Sequence, residues 1–404
     1  MSPDVQRDAV RARNAVAVVF GLNGFAFASW VSRIPESRAN LDLTPGQLGT
    51  LLLALSVGSL VALPSAGLWV HRLGAARVVA AAAVLDAVGL AVTGVGAGGV
   101  HQAWLTGVGL LLLGFGSGVW DVAMNVEGAA VEHRIGRTIM PRFHAAFSLG
   151  TVAGAAVGAA AAGLGLPIPV HLGVAAAVVG LVPLFVVPSF LAAGTERDAE
   201  TAAPRNPLRA WVEPRTLTIG LMVLALALTE GVANDWLAVA LVDGYDVPAW
   251  LGASGFALFV SAMTLGRVSG TVVLDRFGRV PVLWATMALA AAGVLVVVFG
   301  QALPVVAVGV VMWGLGASLG FPVGMSAAAD DPEHAAARVS VVSTIGYTAF
   351  LAGPPVLGYL GDHVGVLHAL LLVAVLLVPS ALAVPAARPT VRGGRDAAPD
   401  PEAG

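Results

Sequence analysis

The chain alternates long apolar runs with short polar breaks, and the runs are of nearly one length. They fall near 14–34, 46–70, 77–97, 104–128, 140–164, 168–191, 216–240, 248–274, 280–300, 304–327, 336–360 and 364–385. A helix rising about 1.5 Å per residue needs about 20 apolar residues to cross roughly 30 Å of hydrocarbon. Each run therefore predicts one transmembrane helix, twelve in all. Between the sixth and seventh lies the one long polar segment, Ala192 to Arg215, which carries Glu196, Asp198, Glu200, Arg205 and Arg209. It predicts a solvated linker, 192–215, between an N-terminal six-helix bundle over 1–191 and a C-terminal one over 216–385. A short tail, 386–404, follows.

The polar N-terminus, with Arg7, Arg11 and Arg13, leads into the first run and on to Trp30 and Pro35. No small-x-small cleavage site interrupts it, so the run is expected to be retained as a span. Every Arg except Arg33, Arg38 and the intramembrane Arg267 falls on the side of the membrane that holds the N-terminus. Positive residues stay inside, so both termini are expected in the cytoplasm and the chain as a multi-pass protein of a bacterial inner membrane.

Composition agrees and narrows the function classes. The chain is 57% hydrophobic and 11% charged, with a mean hydropathy of +0.87. Cys is absent, which removes disulfides and thiolate metal sites, and all 21 cationic residues are Arg. No basic cluster forms a nucleic-acid patch. There is no phosphate-cradling Gly-rich loop with Lys, no H-E-x-x-H and no G-x-S-x-G, so no enzyme, cofactor or metal is expected.

The two halves repeat. After span two comes His71-Arg72-Leu73-Gly74, and after span eight Asp275-Arg276-Phe277-Gly278-Arg279. Gly114-Phe115-Gly116 in span four matches Gly314-Leu315-Gly316 in span ten. Parallel six-span repeats around a central loop describe a secondary transporter with its site between the halves. On these residues the chain resembles the major facilitator superfamily over all twelve spans. The second-half loop is similar to that superfamily's G-x-x-x-D-R-x-G-R, with Thr271 for the first Gly; in the first half His71 and Ala75 replace the Asp and the last Arg. Gly118 to Asn125 resembles the G-x-x-E-x-x-x-N of fucose permease-like symporters. Trp30 with Arg33-Ile34-Pro35, His144, and Glu230 with Asp235-Trp236 are similar to the YbjJ-type bacterial branch.

The resemblance implies the fold: an all-α membrane protein of twelve helices in two pseudo-symmetric bundles, with spans 1, 4, 7 and 10 lining a central cavity. It also sorts the polar residues. Asp121 closes the uncharged run from Trp104 to Trp120, so it lies below the membrane surface. A charge there costs about 2.5–3.5 kcal/mol on insertion scales and is by default functional. Asp121 and Asn125 are one turn apart, as are Glu230 and Asn234 on span seven, with Asp235 beside them. Asp121, Glu230 and His144 are the candidate proton-coupling groups. Asn23, Trp30, Asn125, Asn234, Asp235, Trp236, Trp313 and Phe321 are candidate substrate contacts, the aromatics by stacking. Arg72, Gly74, Asp275, Arg276, Gly278 and Arg279 are the implied gating-loop residues, and Asp275 is expected to bind a neighbouring helix end.

Each assignment has an ordinary structural alternative. Asp121 could pair with an Arg, the Asn residues could bridge helices, and Trp30 and Trp236 could belong to an interfacial belt. Arg267 is expected to pair with an acid of span seven or of the gating loop, and Asp86 to meet a buried partner. Arg33 is expected to snorkel to the interface, and Glu127 and Glu132 to be surface or gate residues. Gly353-Pro354-Pro355 reads as a kink. The Pro that marks drug/proton antiporters of the superfamily after Gly154 is replaced by Ala155.

The expected function is proton-driven secondary transport of a small polar solute, a sugar or related metabolite, by a monomer in the bilayer. Export of an amphipathic metabolite or drug is the alternative. A non-transporting sensor is a third, against which stand short tails with no signalling domain.

Overall fold

The structure is a computed structural model that describes residues 3–137, 139–191, 207–331 and 334–389. Most of the expected linker and tail lies outside these residues. Eleven helical stretches among the described residues are long and apolar enough to cross a membrane, and a shorter one, Val366–Ala381, follows them. The twelve hydrophobic runs therefore correspond to twelve helical passes.

In the first half the passes are α1 (Pro3–Val31) with the short α2 (Ile34–Asn40), then α3 (Pro45–Leu73), α4 (Ala75–Gly98), α5 (Ala103–Ile135), α6 (Met140–Gly163) and α7 (Ile168–Val186). In the second they are α8 (Pro214–Val232) continued by α9 (Ala238–Tyr245), then α10 (Ala249–Phe277), α11 (Arg279–Phe299), α12 (Leu303–Ala317) with α13 (Gly320–Ala328), α14 (Ala335–Val364), and α15 (Val366–Ala369) with α16 (Leu371–Ala381). α1 begins well before the apolar run, because the polar N-terminal residues extend the same helix and bury Ala9 and Ala12.

Local sequence explains the ends. Thr44 caps α3, accepting from the Gln47 N–H while Gln47 Oε1 accepts from the Thr44 N–H, and Pro45 occupies the first turn. α3 stops at Gly74 (φ 81°) and α10 at Gly278 (φ 76°), a left-handed conformation that costs glycine little. The Arg-x-Gly repeat is thus one turn used twice.

The Gly-x-Gly repeat also has a packing reason. A Cβ at Gly114 would overlap the Leu55 carbonyl of α3, and one at Gly314 the Phe259 carbonyl of α10. A Cβ at Gly116 would strike Asp86 on α4, and one at Gly316 would strike Ala290 on α11. In each half the cavity helix thus lies backbone to backbone against two neighbours, as small residues allow in membranes. Between halves, α3 packs on α14 and α6 on α10, the same positions in the two repeats.

Three passes are interrupted in ways the hydropathy pattern does not carry. A π turn, Ala233–Leu237, joins α8 to α9; a break at Ser318–Leu319 separates α12 from α13; and the last pass is split at Leu370.

Candidate functional site

A cavity of about 320 Å³ lies between the halves. From the first half it is lined by Asn23 and Phe27 (α1), Ser56 and Ser59 (α3), Ser117 and Asp121 (α5), and Phe147, Ser148 and Thr151 (α6). From the second it is lined by Glu230, Asn234 and Asp235, by Thr264 and Arg267 (α10), and by Tyr347 and Phe350 (α14). The size suits a small solute, and polar groups are set among apolar and aromatic surface.

Toward the α2 end the halves are tied together. Arg38 of α2 pairs with Asp243 of α9, the Gly46 N–H donates to both Asp362 carboxylate oxygens at 3.1 Å, and Ser56 Oγ donates to the Phe350 carbonyl at 2.8 Å. Gly49 meets the Pro354 carbonyl so closely that a Cβ would overlap it. Asp121, deep in α5, is exposed to the cavity.

Asp121 keeps its place beside Asn125, whose Nδ2 donates to the Asp121 carbonyl at 2.8 Å and to its Oδ1 at 3.2 Å. Its partner is therefore an amide rather than a cation. Glu230 differs: Arg267 Nη2 lies 2.8 Å from Glu230 Oε2, with both side chains largely covered. Arg267 Nε also donates to the Ser318 carbonyl at 3.3 Å, a group at the α12–α13 break. The expected pairing of Arg267 with an acid of span seven thus has a definite partner.

The π turn brings Asp235 into the site. Adjacent residues on a regular helix diverge by about 100°, but an i→i+5 turn adds a residue to one revolution. Glu230, Asn234 and Asp235 consequently all line the cavity. Among the described residues the Asp235 carboxyl makes no hydrogen bond or ion pair. Asn23 is buried, and its Nδ2 is likewise without a partner.

The tryptophans do not behave as expected. Trp30, Trp236 and Trp313 are fully buried and line no part of the cavity. Trp313 Nε1 donates to the Thr229 carbonyl at 3.1 Å, in the turn before the π segment, and its ring meets Phe259 edge-on at 5.6 Å. Burial of such large apolar area outweighs any placement toward the solute. Phe321 stands behind the wall, 6.2 Å from the Tyr347 ring. The aromatic surface comes instead from Phe27, Phe147, Tyr347 and Phe350, which the sequence reading did not single out. Ser117 was also overlooked; its position one turn before Asp121 on the same face is the signal that could have found it.

His144 is exposed on α6, one turn before Phe147, with its ring edge-on to Phe20 at 5.3 Å; it does not line the cavity. Arg33 does not snorkel. It is fully buried, 2.7 Å from Glu36, and donates to the Leu166 carbonyl at 2.7 Å. Glu127 is buried rather than superficial and accepts the Leu191 N–H at 2.7 Å. Glu132 accepts the N–H groups of Ile139 and Met140 at 2.6 and 2.7 Å, satisfying the start of α6. In the gating loops Arg72 and Asp275 are exposed and Arg276 lies over the Phe277 ring. Among the described residues the Asp275 side chain makes no hydrogen bond or ion pair, so the expected tie to a neighbouring helix end is not made in this state. Asp330 takes Arg279 at 2.6 Å and Arg215 at 2.9 Å.

A transporter of Sinorhizobium fredii, the uncharacterised y4wD, is 33% identical over 354 residues, spanning 86% of this chain and 90% of that protein. The family model for the Major Facilitator Superfamily matches residues 251–403. The chain belongs to the major facilitator superfamily. It is a multi-pass membrane transporter, and the relatives found are transporters rather than enzymes. Solved members of the superfamily share its fold. The nucleoside transporter NupG superposes with a TM-score of 0.74 at 13% identity, covering 93% of this chain and 98% of that one. The E. coli fucose:proton symporter FucP gives 0.61 at 16% identity, covering 94% and 99%.

Proposed function

We propose that the protein is a proton-coupled secondary transporter that moves a small polar solute, a sugar or related metabolite, by alternating access. The observation that carries this reading is Asp121, a carboxyl at bilayer depth in the cavity wall, hydrogen-bonded by an amide and, among the described residues, matched by no cation. Such a group is held where protons and solutes meet. Asn23, Asn234, Ser148 and Thr151 supply donors and acceptors for hydroxyl groups, and Asp235 offers a second carboxyl; Asn125, expected as a substrate contact, stands off the cavity wall and donates its amide to Asp121. Glu230 serves the site as one member of an ion pair with Arg267.

In this reading residues 1–191 rock against 216–385 about the α3–α14 and α6–α10 seams. With the Arg-rich side in the cytoplasm of a bacterium, the tied end faces outward and the described state is open inward. Reporter fusions in the 192–215 segment and after the tail are expected to read cytoplasmic; a periplasmic signal at either rejects that orientation.

The decisive experiment uses the full chain as a monomer in proteoliposomes with an entrapped pH-sensitive dye. Neutral monosaccharides and nucleosides, L-fucose and uridine first, are supplied outside. A proton flux dependent on one of them is expected. Asp121→Asn keeps size and hydrogen bonding but exchanges no proton, so it should abolish accumulation and spare counterflow. Accumulation that survives Asp121→Asn and Glu230→Gln, separately and together, rejects the mechanism. The aromatic wall of Phe27, Phe147, Tyr347 and Phe350 favours a second reading, export of an amphipathic solute, which would appear as a dye response to apolar aromatic compounds and to neither L-fucose nor uridine.

A further inference from the structure

Asp86 is a carboxyl that the coupling scheme does not use. It sits on α4, fully buried behind the wall of the cavity. Ser117 Oγ lies 3.2 Å from one of its oxygens and 3.1 Å from the other. Ser117 itself lines the cavity, one turn from Asp121. Gly116 closes the seam around the pair, since a Cβ there would overlap the Asp86 carboxyl. One hydroxyl therefore stands between a sealed acid and the solute space.

The elements packed against α4 carry the titratable and charged groups Asp121, Glu127, Glu132, His133 and Arg134 (α5), His171 (α7), His71 and Arg72 (α3), Glu36 and Arg38 (α2), and Arg7, Asp8, Arg11 and Arg13 (α1). Among the described residues none of them bonds Asp86, which meets Ser117 alone.

A hydroxyl has one proton and two lone pairs. If Asp86 were ionised, Ser117 would commit its proton to the carboxylate and show the cavity only lone pairs. If Asp86 holds a proton, the acid donates to Ser117 Oγ, and the Ser117 proton is free to point into the cavity. A bare charge in a sealed seam without a cation is costly, so the second arrangement is the one that leaves nothing unmatched. We propose that Asp86 is a positioning residue of the transport site: acting through Ser117, it makes the cavity wall beside Asp121 a hydrogen-bond donor to the solute. This rests on the cavity being the transport site, but its first test does not.

Infrared difference spectra of the purified full-length protein test the arrangement without a solute. The carboxylic-acid C=O band present in wild type should disappear in Asp86→Asn and shift in Ser117→Ala, while Asp121→Asn should leave that band in place. A spectrum in which no acid band leaves with Asp86→Asn overturns the proposal, whatever the transport result. The second test uses L-fucose or uridine, whichever the wild type carries. Ser117→Ala should raise KM about 2- to 10-fold with kcat retained, the net value of one hydrogen bond, and Ser117→Thr should restore it. Asp86→Ala should raise KM similarly and Asp86→Asn, whose amide can donate to Ser117, should recover most of the loss. A KM in Asp86→Asn as high as in Asp86→Ala overturns the proposal. If neither solute is carried, the transport reading is what has failed, and the infrared result still decides the role of Asp86.

Discussion

Removing one hydroxyl at the seam between the halves should change how often the tied end opens. Pro354 has no N–H, so the Phe350 carbonyl four residues earlier lacks its helical donor. Ser56, on α3 of the other half, supplies that donor at 2.8 Å. Ser56→Ala leaves the carbonyl without a protein donor while the end is closed, which costs about 1–3 kcal/mol where water does not take the place of the hydroxyl. Once the halves separate, water reaches the carbonyl and the cost disappears. The mutation therefore acts on the closed state alone, and only such differential effects shift a two-state equilibrium. The expected shift is about 5- to 150-fold toward the opened state. A water entering the space of the lost hydroxyl moves the result toward the lower figure.

The absence of Cys makes the measurement direct. Spin labels at Ala39→Cys, in α2, and Pro248→Cys, before α10, straddle the tied end. In the parent their distance distribution should show one short component; with Ser56→Ala a longer component should grow, and Ser56→Thr, which keeps the hydroxyl, should suppress it. An unchanged distribution in Ser56→Ala would refute the argument that this bond helps to hold the end closed.

Other expectations follow from single contacts. Glu230→Gln and Arg267→Gln should each destabilise the fold by up to about 3 kcal/mol, seen as a lower melting temperature, because each strands its partner's charge; the double mutant should lose less than the sum, and strict additivity would deny the pairing. Burial pushes the Glu213 carboxyl up, but hydrogen bonds from Arg338 and Thr216 and the Arg338 and His334 charges outweigh it and hold the group below the usual carboxylate range. Its contribution is therefore complete above the unfolded value, about pH 4.3, and lost as pH falls through the lower folded one. Melting curves should show Glu213→Gln less stable than wild type at neutral pH, with the difference closing on acidification; a gap independent of pH would contradict this. Asp275 is exposed in this state, so Asp275→Ala should leave melting temperature and solute binding unchanged while slowing counterflow; unaltered counterflow would remove it from the gating loop.

The passes were legible because the bilayer imposes length and apolarity on every one of them, and the Arg distribution and the two repeats survive in the residues. Asp121, Asn125, Glu230 and Asn234 were legible for a related reason: a polar group in a long apolar run stands out. The interruptions were not. A π turn at Ala233–Leu237 or a break at Ser318 costs little when a neighbour takes up the exposed backbone, and nothing in the local apolar sequence distinguishes it from regular helix. The turn is what lets Asp235, a candidate beside Asn234, share the cavity face with Glu230 and Asn234. The aromatics failed differently. Trp is conspicuous in a sequence, but its area makes it a packing residue, whereas Phe27, Phe147 and Phe350 are inconspicuous among apolar neighbours and acquire meaning only from the faces that meet.

The composition of the tied end also bears on how the protein can switch at all. The Arg38–Asp243 pair is partly exposed, and such pairs contribute about 0–1 kcal/mol. The Gly46–Asp362 and Ser56–Phe350 bonds add about 0.5–1.5 kcal/mol each, somewhat more where the carboxylate is charged. Gly49 contributes no side chain, only the close approach that lets α3 lie against Pro354. The polar ties of this seam are thus individually weak. The free-energy gap between its closed and opened forms is accordingly of the size, about a few kcal/mol, that a bound solute and a proton can reverse. The Pro that removes a backbone donor and the Ser that replaces it across the interface are then parts of one arrangement: the closed end is satisfied only when the halves meet, and water satisfies it when they part.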